Sequence, residues 1–341
     1  MPVGVLRLKT TPADHRPIVD SFGREFRYLR ISVTDRCNLR CTYCMPAAGV
    51  PLLRHEDILT YEEIAAVARA AVALGVTSVR ITGGEPLVRR DLVRLVKLLR
   101  GIAALDDISM TTNALLLPSV AASLARAGLN RVNVSIDSLE PQEYAEITRG
   151  GDLHAALAGV EAALGAGLDP VKVNAVTAVP RDDDGLRRWA GLFVDLARRL
   201  PVHVRFIELM PTGIMGAAAC ANGLAEIIRA LGATPATGEI PGAGPARYWR
   251  LEGALGLLGL IAPMSEPFCD RCNRLRLTAR GELRSCLFSA PELDLMPVLR
   301  PKVDAAAISD ALFRAWRGKR RARGSSVVGA ADRASMCQIG G

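Results

Sequence analysis

Aromatic residues are scarce, at 4% of 341 positions, and the apolar mass is mostly Ala, Leu and Val. Long apolar runs are absent too. The best, Ala254–Met264, is broken by glycines and Pro263 and is shorter than the roughly 18 residues that span a bilayer, so no membrane association is expected. The first residues hold no long apolar stretch with a cleavage site. Export is therefore not expected, and the sequence reads as a soluble cytoplasmic protein. Half of the residues are hydrophobic and 23% are charged, which supplies a core and excludes wholesale disorder. At roughly 150 residues per domain, the length predicts two domains or one large α/β barrel with an appendage.

The eight cysteines contain no set of four. Cys37, Cys41 and Cys44 stand as C-x3-C-x2-C, and Cys269, Cys272 and Cys286 as C-x2-C-x13-C; Cys220 and Cys337 stand apart and read as bystanders. Where thiols stay reduced, clustered cysteines indicate metal rather than disulfides. Structural zinc closes with four ligands. Three thiols suit a metal centre whose last position is kept for a substrate.

Charge is uneven. Between 311 and 341, seven Lys or Arg face one Asp, which leaves little of the net +8 for the rest of the chain. A basic tail can meet an anion, but charge alone favours a solvated terminal stretch.

From Tyr28 to Met210, strand and helix signals alternate. Strands are expected at Tyr28–Thr34, Ser78–Thr82, Asp107–Thr112, Arg131–Ile136, Val171–Thr177 and Val202–Leu209. Helices are expected at Tyr61–Leu74, with Thr60 as N-cap and Gly75 as stop, at Asp91–Leu99, and at 118–127, 153–166 and 183–199. This is a parallel-sheet pattern, a barrel or an open doubly wound sheet. Polar residues favour the barrel, because they gather at the carboxyl ends of the strands: Cys37, Gly83-Gly84-Glu85, Asn113, Ser135 and Asp137, Asn174, then Glu208 and Met210. Beyond 210 come loops around a short helix, short strands at Tyr248–Leu251, Gly256–Ile261 and Arg274–Ala279, and a helix at Asp304–Trp316. His203 lies in a strand and reads as structural.

Three thiolates on an iron–sulfur cubane leave one iron open to a small chelating ligand. The loop from Cys37 to Cys44, with Tyr43 before the last thiol and Gly83-Gly84-Glu85-Pro86 after the next strand, resembles the radical S-adenosylmethionine (SAM) enzymes. Arg30–Cys37, Val132–Ser138, Lys172–Asn174, Phe268–Arg276 and the final Gly340-Gly341 resemble one branch of them more closely. That branch is the GTP 3′,8-cyclase family of molybdenum cofactor biosynthesis. The resemblance covers about residues 18–341; it is loose at 211–247 and in the tail before Met336.

The resemblance implies a partial (β/α)6 TIM-like barrel of the radical SAM type over 28–210, after an N-terminal extension at 1–27. It further implies a C-terminal region at 211–317 carrying a second iron–sulfur cluster, and a basic tail at 318–341. Cys37, Cys41 and Cys44 would hold one 4Fe-4S cluster, and Cys269, Cys272 and Cys286 a second. Tyr43, Gly84, Ser135 and Met210 would contact SAM. Arg30, Arg80, Thr111, Lys172, Arg274, Leu275 and Arg276 would bind GTP, and Gly340 and Gly341 would enter the active site. On composition alone, Lys172 could equally be a surface lysine laid along the barrel. The implied reaction uses a 5′-deoxyadenosyl radical to take the C3′ hydrogen of GTP, after which C3′ adds to C8. Implied partners are a reduced flavodoxin or ferredoxin-type electron donor and the next enzyme of the molybdopterin pathway; a homodimer is compatible with it, and neither nucleic acid nor membrane is expected. Two rivals remain at this point: another radical SAM enzyme with an auxiliary cluster, acting on peptide or RNA, and a non-catalytic iron–sulfur protein that binds nucleic acid through its tail.

Overall fold

The structure, a computed structural model, describes residues 17–210, 223–238, 240–242, 244–321 and 335–340. Six strands follow in chain order: β1 (Tyr28–Ser32), β2 (Ser78–Thr82), β3 (Asp107–Thr112), β4 (Arg131–Ser135), β5 (Val171–Val176) and β6 (Val202–Ile207). The helices between them are α1 (Tyr61–Ala73), α2 (Leu92–Arg100), α3 (Ala121–Ala127), α4 (Pro141–Thr148), α5 (Leu153–Gly165) and α6 (Asp183–Arg199). Thr60 caps α1 with a reciprocal capping box to Glu63, and Gly75 follows its end at φ +101°. β1 to β6 pair parallel, each with the next. Their outer faces meet the helices in one apolar core that includes Leu29, Ile81, Met110, Val134, Val173 and Phe206.

The later residues are α7 (Leu224–Ala230), β7 (Thr234–Pro235), β8 (Arg247–Arg250), β9 (Leu258–Ile261), β10 (Arg274–Leu277), β11 (Glu282–Arg284) and β12 (Leu293–Asp294). They end in α8 (Met296–Leu299), α9 (Ala305–Arg317) and α10 (Met336–Ile339). Two of these strands extend the barrel sheet. β10 lies parallel to β1 and β9 parallel to β6, giving the order β12-β11-β10-β1-β2-β3-β4-β5-β6-β9-β8-β7. The parallel sheet therefore continues past the six strands expected from β-α alternation. Strands at Gly256–Ile261 and Arg274–Ala279 were expected, but not their place in this sheet: β9 reaches β6 through α7 and the β7–β8 pair, and β10 reaches β1 from the far end of the chain. α4 was also unforeseen, since its eight residues are too few to show a periodicity. Among the described residues no helix is long and apolar enough to cross a membrane.

Candidate active site

The inner face of the sheet surrounds a cavity of about 420 Å³. Cys37, Cys41 and Cys44 form part of one wall, and Cys269, Cys272 and Cys286 part of another. Tyr43, Gly84, Ser135, Met210, Arg30, Arg80, Thr111, Arg274 and Arg276 also line it.

The first thiol set sits on a loop built by backbone pairing. Gly84 N–H donates to Thr34 O and Glu85 N–H to Arg36 O, both at 2.8 Å. A Cβ on Gly84 would lie 2.4 Å from Arg36 O, and one on Gly83 would lie 2.7 Å from Thr34 O. The two glycines thus let the cysteine loop lie directly on the strand-to-loop turn after β2. The loop's other side is held by α4: Arg40 N–H and Thr42 N–H donate to Thr148 O and Ile147 O, and Arg149 donates to Arg40 O and Met45 O. Leu39 N–H points at the Cys37 sulfur at 3.4 Å, the kind of contact that stabilises a thiolate.

Two buried carboxyls brace this wall. Glu85 accepts from Leu87 N–H, Thr112 hydroxyl and Asn113 N–H at 2.7–3.0 Å. Burial outweighs these bonds and pushes its pKa up to about 7. Asp137 accepts from Tyr43 hydroxyl at 2.7 Å and Val176 N–H at 2.9 Å, and burial raises it to about 6. Burial likewise pushes the Cys37 thiol up to about 11 and Cys41 further.

The second thiol set comes from two segments. Cys269 and Cys272 precede β10, while Cys286 follows β11, its antiparallel neighbour. Burial opposes ionisation of Cys272, but Lys319 and Arg274 outweigh it and bring this thiol down to about 7. No three Cys, His, Asp or Glu side chains among the described residues converge as they would on a single ion. A four-iron cluster takes each thiolate on a different iron, so an all-sulfur donor set spread along a cavity wall fits it.

Between the walls lies a row of cations. The sheet register puts Arg276, Arg30 and Arg80 side by side on β10, β1 and β2. Among the described residues none of them, nor Arg274, forms an ion pair. Arg30 Nε and Thr111 Oγ1 are buried with no hydrogen-bond partner among the described residues. Burial, then Arg276 and Arg80, drive the Arg30 pKa well down; burial and neighbouring cations bring Arg80 and Arg276 down to about 10. Uncompensated buried cations with open donors define a pocket for an anion.

Other expected residues lie elsewhere. Leu275 alternates to the opposite face from Arg274 and Arg276 and is fully buried in the apolar core, so its side chain is not in the cavity. Lys172 is buried near the start of β5, and its ammonium donates to Pro241 O and Gly242 O. Burial and the nearby Arg205 and Arg131 lower its pKa to about 6. His203 Nδ1 accepts from Leu257 N–H at 3.2 Å, a structural contact. Gly340 takes φ +72°, and its carbonyl accepts from Arg276 Nη1 at 3.2 Å. Gly341 and Cys220 lie outside the described residues.

Three features escaped the sequence reading. Arg205 lines the cavity and donates to Asn174 Oδ1 at 2.8 Å and Asn133 Oδ1 at 2.6 Å; an arginine inside the apolar run of β6 was the available signal. Cys337 stands apart in sequence only. It is buried on α10, lies near Cys44 and faces the cavity. Lys319 belongs to the basic tail yet is only 4% exposed, so the expected solvated stretch does not begin at 318.

Residues 31–188 match the family model of the Radical SAM superfamily, and residues 202–324 that of Molybdenum Cofactor Synthesis C. The solved structure of Streptococcus suis SuiB bound to S-adenosylmethionine is similar in fold, with a TM-score of 0.59 and 15% identity. That match covers 85% of this chain and 65% of SuiB, slightly under two thirds of its length. The chain is a radical SAM enzyme with an appended molybdenum-cofactor-synthesis region. It is 49% identical to the GTP 3′,8-cyclase of Pelotomaculum thermopropionicum, over 94% of this chain and 99% of that protein. It is also 49% identical to the GTP 3′,8-cyclase of Moorella thermoacetica, over 85% and 90%. The chain belongs to the GTP 3′,8-cyclase family.

Proposed function

We propose that this chain converts GTP to 3′,8-cyclo-7,8-dihydro-GTP, the first step of molybdenum cofactor biosynthesis. The observation that carries the reading is the placement of Arg30, Arg80, Arg274 and Arg276, which form no ion pair among the described residues, between two three-thiol walls of one cavity. Cys37, Cys41 and Cys44 hold the cluster that binds SAM, beside Tyr43, Gly84, Ser135 and Met210. Cys269, Cys272 and Cys286 hold a second 4Fe-4S cluster. When bound, the first cluster and SAM supply the radical that takes hydrogen from C3′ of GTP, and the second cluster accommodates the purine and the returning electron.

The protein's own part is binding, orientation and shielding. Arg30, Arg80, Arg274 and Arg276 receive the triphosphate, where guanidinium forks give bidentate phosphate contacts. Thr111 supplies a hydroxyl on β3, two residues beyond Ser109, which is the register partner of Arg80. Lys172, two of whose three donors go to the carbonyls of Pro241 and Gly242, stands behind these residues near the start of β5. Asp137 holds the Tyr43 ring against the first wall through its hydroxyl. Gly340 sits against Arg276 through its carbonyl, where its φ of +72° and a Cβ position only 3.0 Å from Ser32 Cβ favour glycine. The electron donor is of the low-potential flavodoxin or ferredoxin class.

The test is anaerobic turnover with SAM, a reductant and GTP deuterated at C3′. Deuterium should appear in 5′-deoxyadenosine, and the nucleotide product should have the mass of GTP. Unlabelled 5′-deoxyadenosine from this substrate, with deuterium instead transferred from GTP labelled at another ribose carbon, would remove the cyclase reading and leave a radical SAM enzyme of other outcome.

A further inference from the structure

Lys319 follows α9, where sequence reading placed the start of a solvated basic tail. Its ammonium has three N–H donors. One goes to Arg274 O at 3.0 Å and one to Ser285 O, the carbonyl immediately before Cys286. Its positive charge also acts on the nearby Cys272 and favours the thiolate. A single buried side chain therefore ties together the two segments that carry the second thiol set. Its stem lies by Trp316, with Nζ 5.7 Å from the ring centroid, and Trp316 stacks on Phe26 at 5.2 Å.

The backbone of Lys319 is fixed in turn by Arg24. Its guanidinium donates to the carbonyls of Lys319 and Arg320 at 3.0 Å, of Arg321 at 3.3 Å and of Cys269 at 2.9 Å. Asp20 pairs with Arg24 Nε at 2.6 Å, which supplies the counter-charge. The network thus runs from Asp20 through Arg24 to Lys319 and touches the neighbourhood of all three cysteines. Lys319 itself has no carboxylate partner among the described residues.

We infer that Lys319 is a positioning residue for the second cluster: it holds Cys272 and Cys286 in one geometry and sets a fixed positive charge against the iron–sulfur group. The inference rests on the reading that Cys269, Cys272 and Cys286 hold such a cluster. Two consequences are physical. A buried cation favours the more negative, reduced state and so raises the reduction potential. Removing an outer-shell partner of a metal ligand weakens metal retention, by about 10–100-fold for such partners generally.

The experiment uses the full chain with Cys37, Cys41 and Cys44 changed to Ala, so that only the second cluster remains, reconstituted anaerobically. Iron and sulfide are assayed, the potential is measured by a redox titration followed by electron paramagnetic resonance, and cluster release to a chelator is timed. Lys319→Gln keeps donors and removes the charge; Lys319→Met removes both; Lys319→Arg keeps the charge. In the Gln and Met variants the redox equilibrium should move ~tenfold toward the oxidised state, a fall of about 59 mV for one electron. Release should accelerate most in the Met variant, and the Arg variant should keep the potential closer to that of Lys319. An unchanged potential in Lys319→Gln overturns the electrostatic role even if Lys319→Met fails to fold. An Arg variant as low as the Gln variant does the same. If the parent without the first three cysteines retains no iron, the second-cluster reading itself falls, which separates the two failures.

Discussion

The two thiol walls of the cavity share a ligand type and differ in almost everything else. The first is local: three cysteines on one loop, pressed onto two glycines and braced by the buried carboxyls Glu85 and Asp137. The second is assembled from distant segments, around β10 and β11 and the residues after α9, and it is surrounded by cations. Without metal, the first wall raises its thiols, whereas the second lowers Cys272. At the first wall burial and the carboxylates Glu85 and Asp137 outweigh Arg40 and Arg149 in their effect on the thiols, whereas at the second the cations Lys319 and Arg274 prevail at Cys272. The contrast matches a division of labour between generating the radical and receiving both an anionic substrate and an electron.

The largest effect expected from breaking this contrast is a pair of reciprocal triple variants. Changing Cys37, Cys41 and Cys44 to Ala should abolish SAM cleavage and leave about half the iron, as expected when one of two clusters loses its ligands. Changing Cys269, Cys272 and Cys286 to Ala should also leave about half the iron, but reductive SAM cleavage should persist while the cyclic nucleotide disappears. Equal loss of SAM cleavage in both would show that the walls do not divide the work. Next comes the cation row. Arg30→Ala or Arg276→Ala should raise the KM for GTP by ~10–100-fold, the range for losing a charge-assisted contact, with iron content unchanged. A KM at the parent value would take either residue out of the phosphate site.

A smaller effect concerns the loop's seat. Gly84→Ala places a Cβ against backbone atoms of Arg36 that have little room to yield, and should cost about 1–3 kcal/mol, the usual range for overpacking. A denaturant midpoint equal to the parent's would mean the loop relaxes freely. A last effect, of comparable size, is one of pH. Glu85 has its pKa raised by burial from 4.5 to about 7. The folded state then binds the proton more tightly than the unfolded state, so stability from this group is present below pH 4.5 and lost as pH rises through 7. The stability of the parent relative to Glu85→Gln should therefore fall between pH 5 and pH 8. A constant difference across that range would contradict the raised pKa.

Much of this was legible in the sequence because it was local. The cysteine spacings, the glycine pair and the six alternating strands each declare themselves within a few residues. Arg30, Arg80 and Arg276 could be named from motifs, but their side-by-side row depends on the register of β10 against β1, which no local pattern encodes. Lys319 escaped for the same reason. Its neighbours Arg320 and Arg321 make it look like part of a charge run, and only Arg24, far away in sequence, turns the run inward. Cys337 looked solitary because its contact with Cys44 spans most of the chain.

The pairing of β1 with β10 also has a consequence for synthesis. Residue 28 must wait for residue 274 before its outer edge is covered, roughly 10–50 s at ribosomal elongation rates of about 5–20 residues per second. Until then the nascent chain carries an open strand edge, a template for pairing with another chain. A charged residue in the middle of such a strand, pointing to the side destined for the interior, is a common safeguard against that fate. In β1 that residue is Arg30, whose charge on the inner face works against pairing of the unfinished sheet with a wrong neighbour.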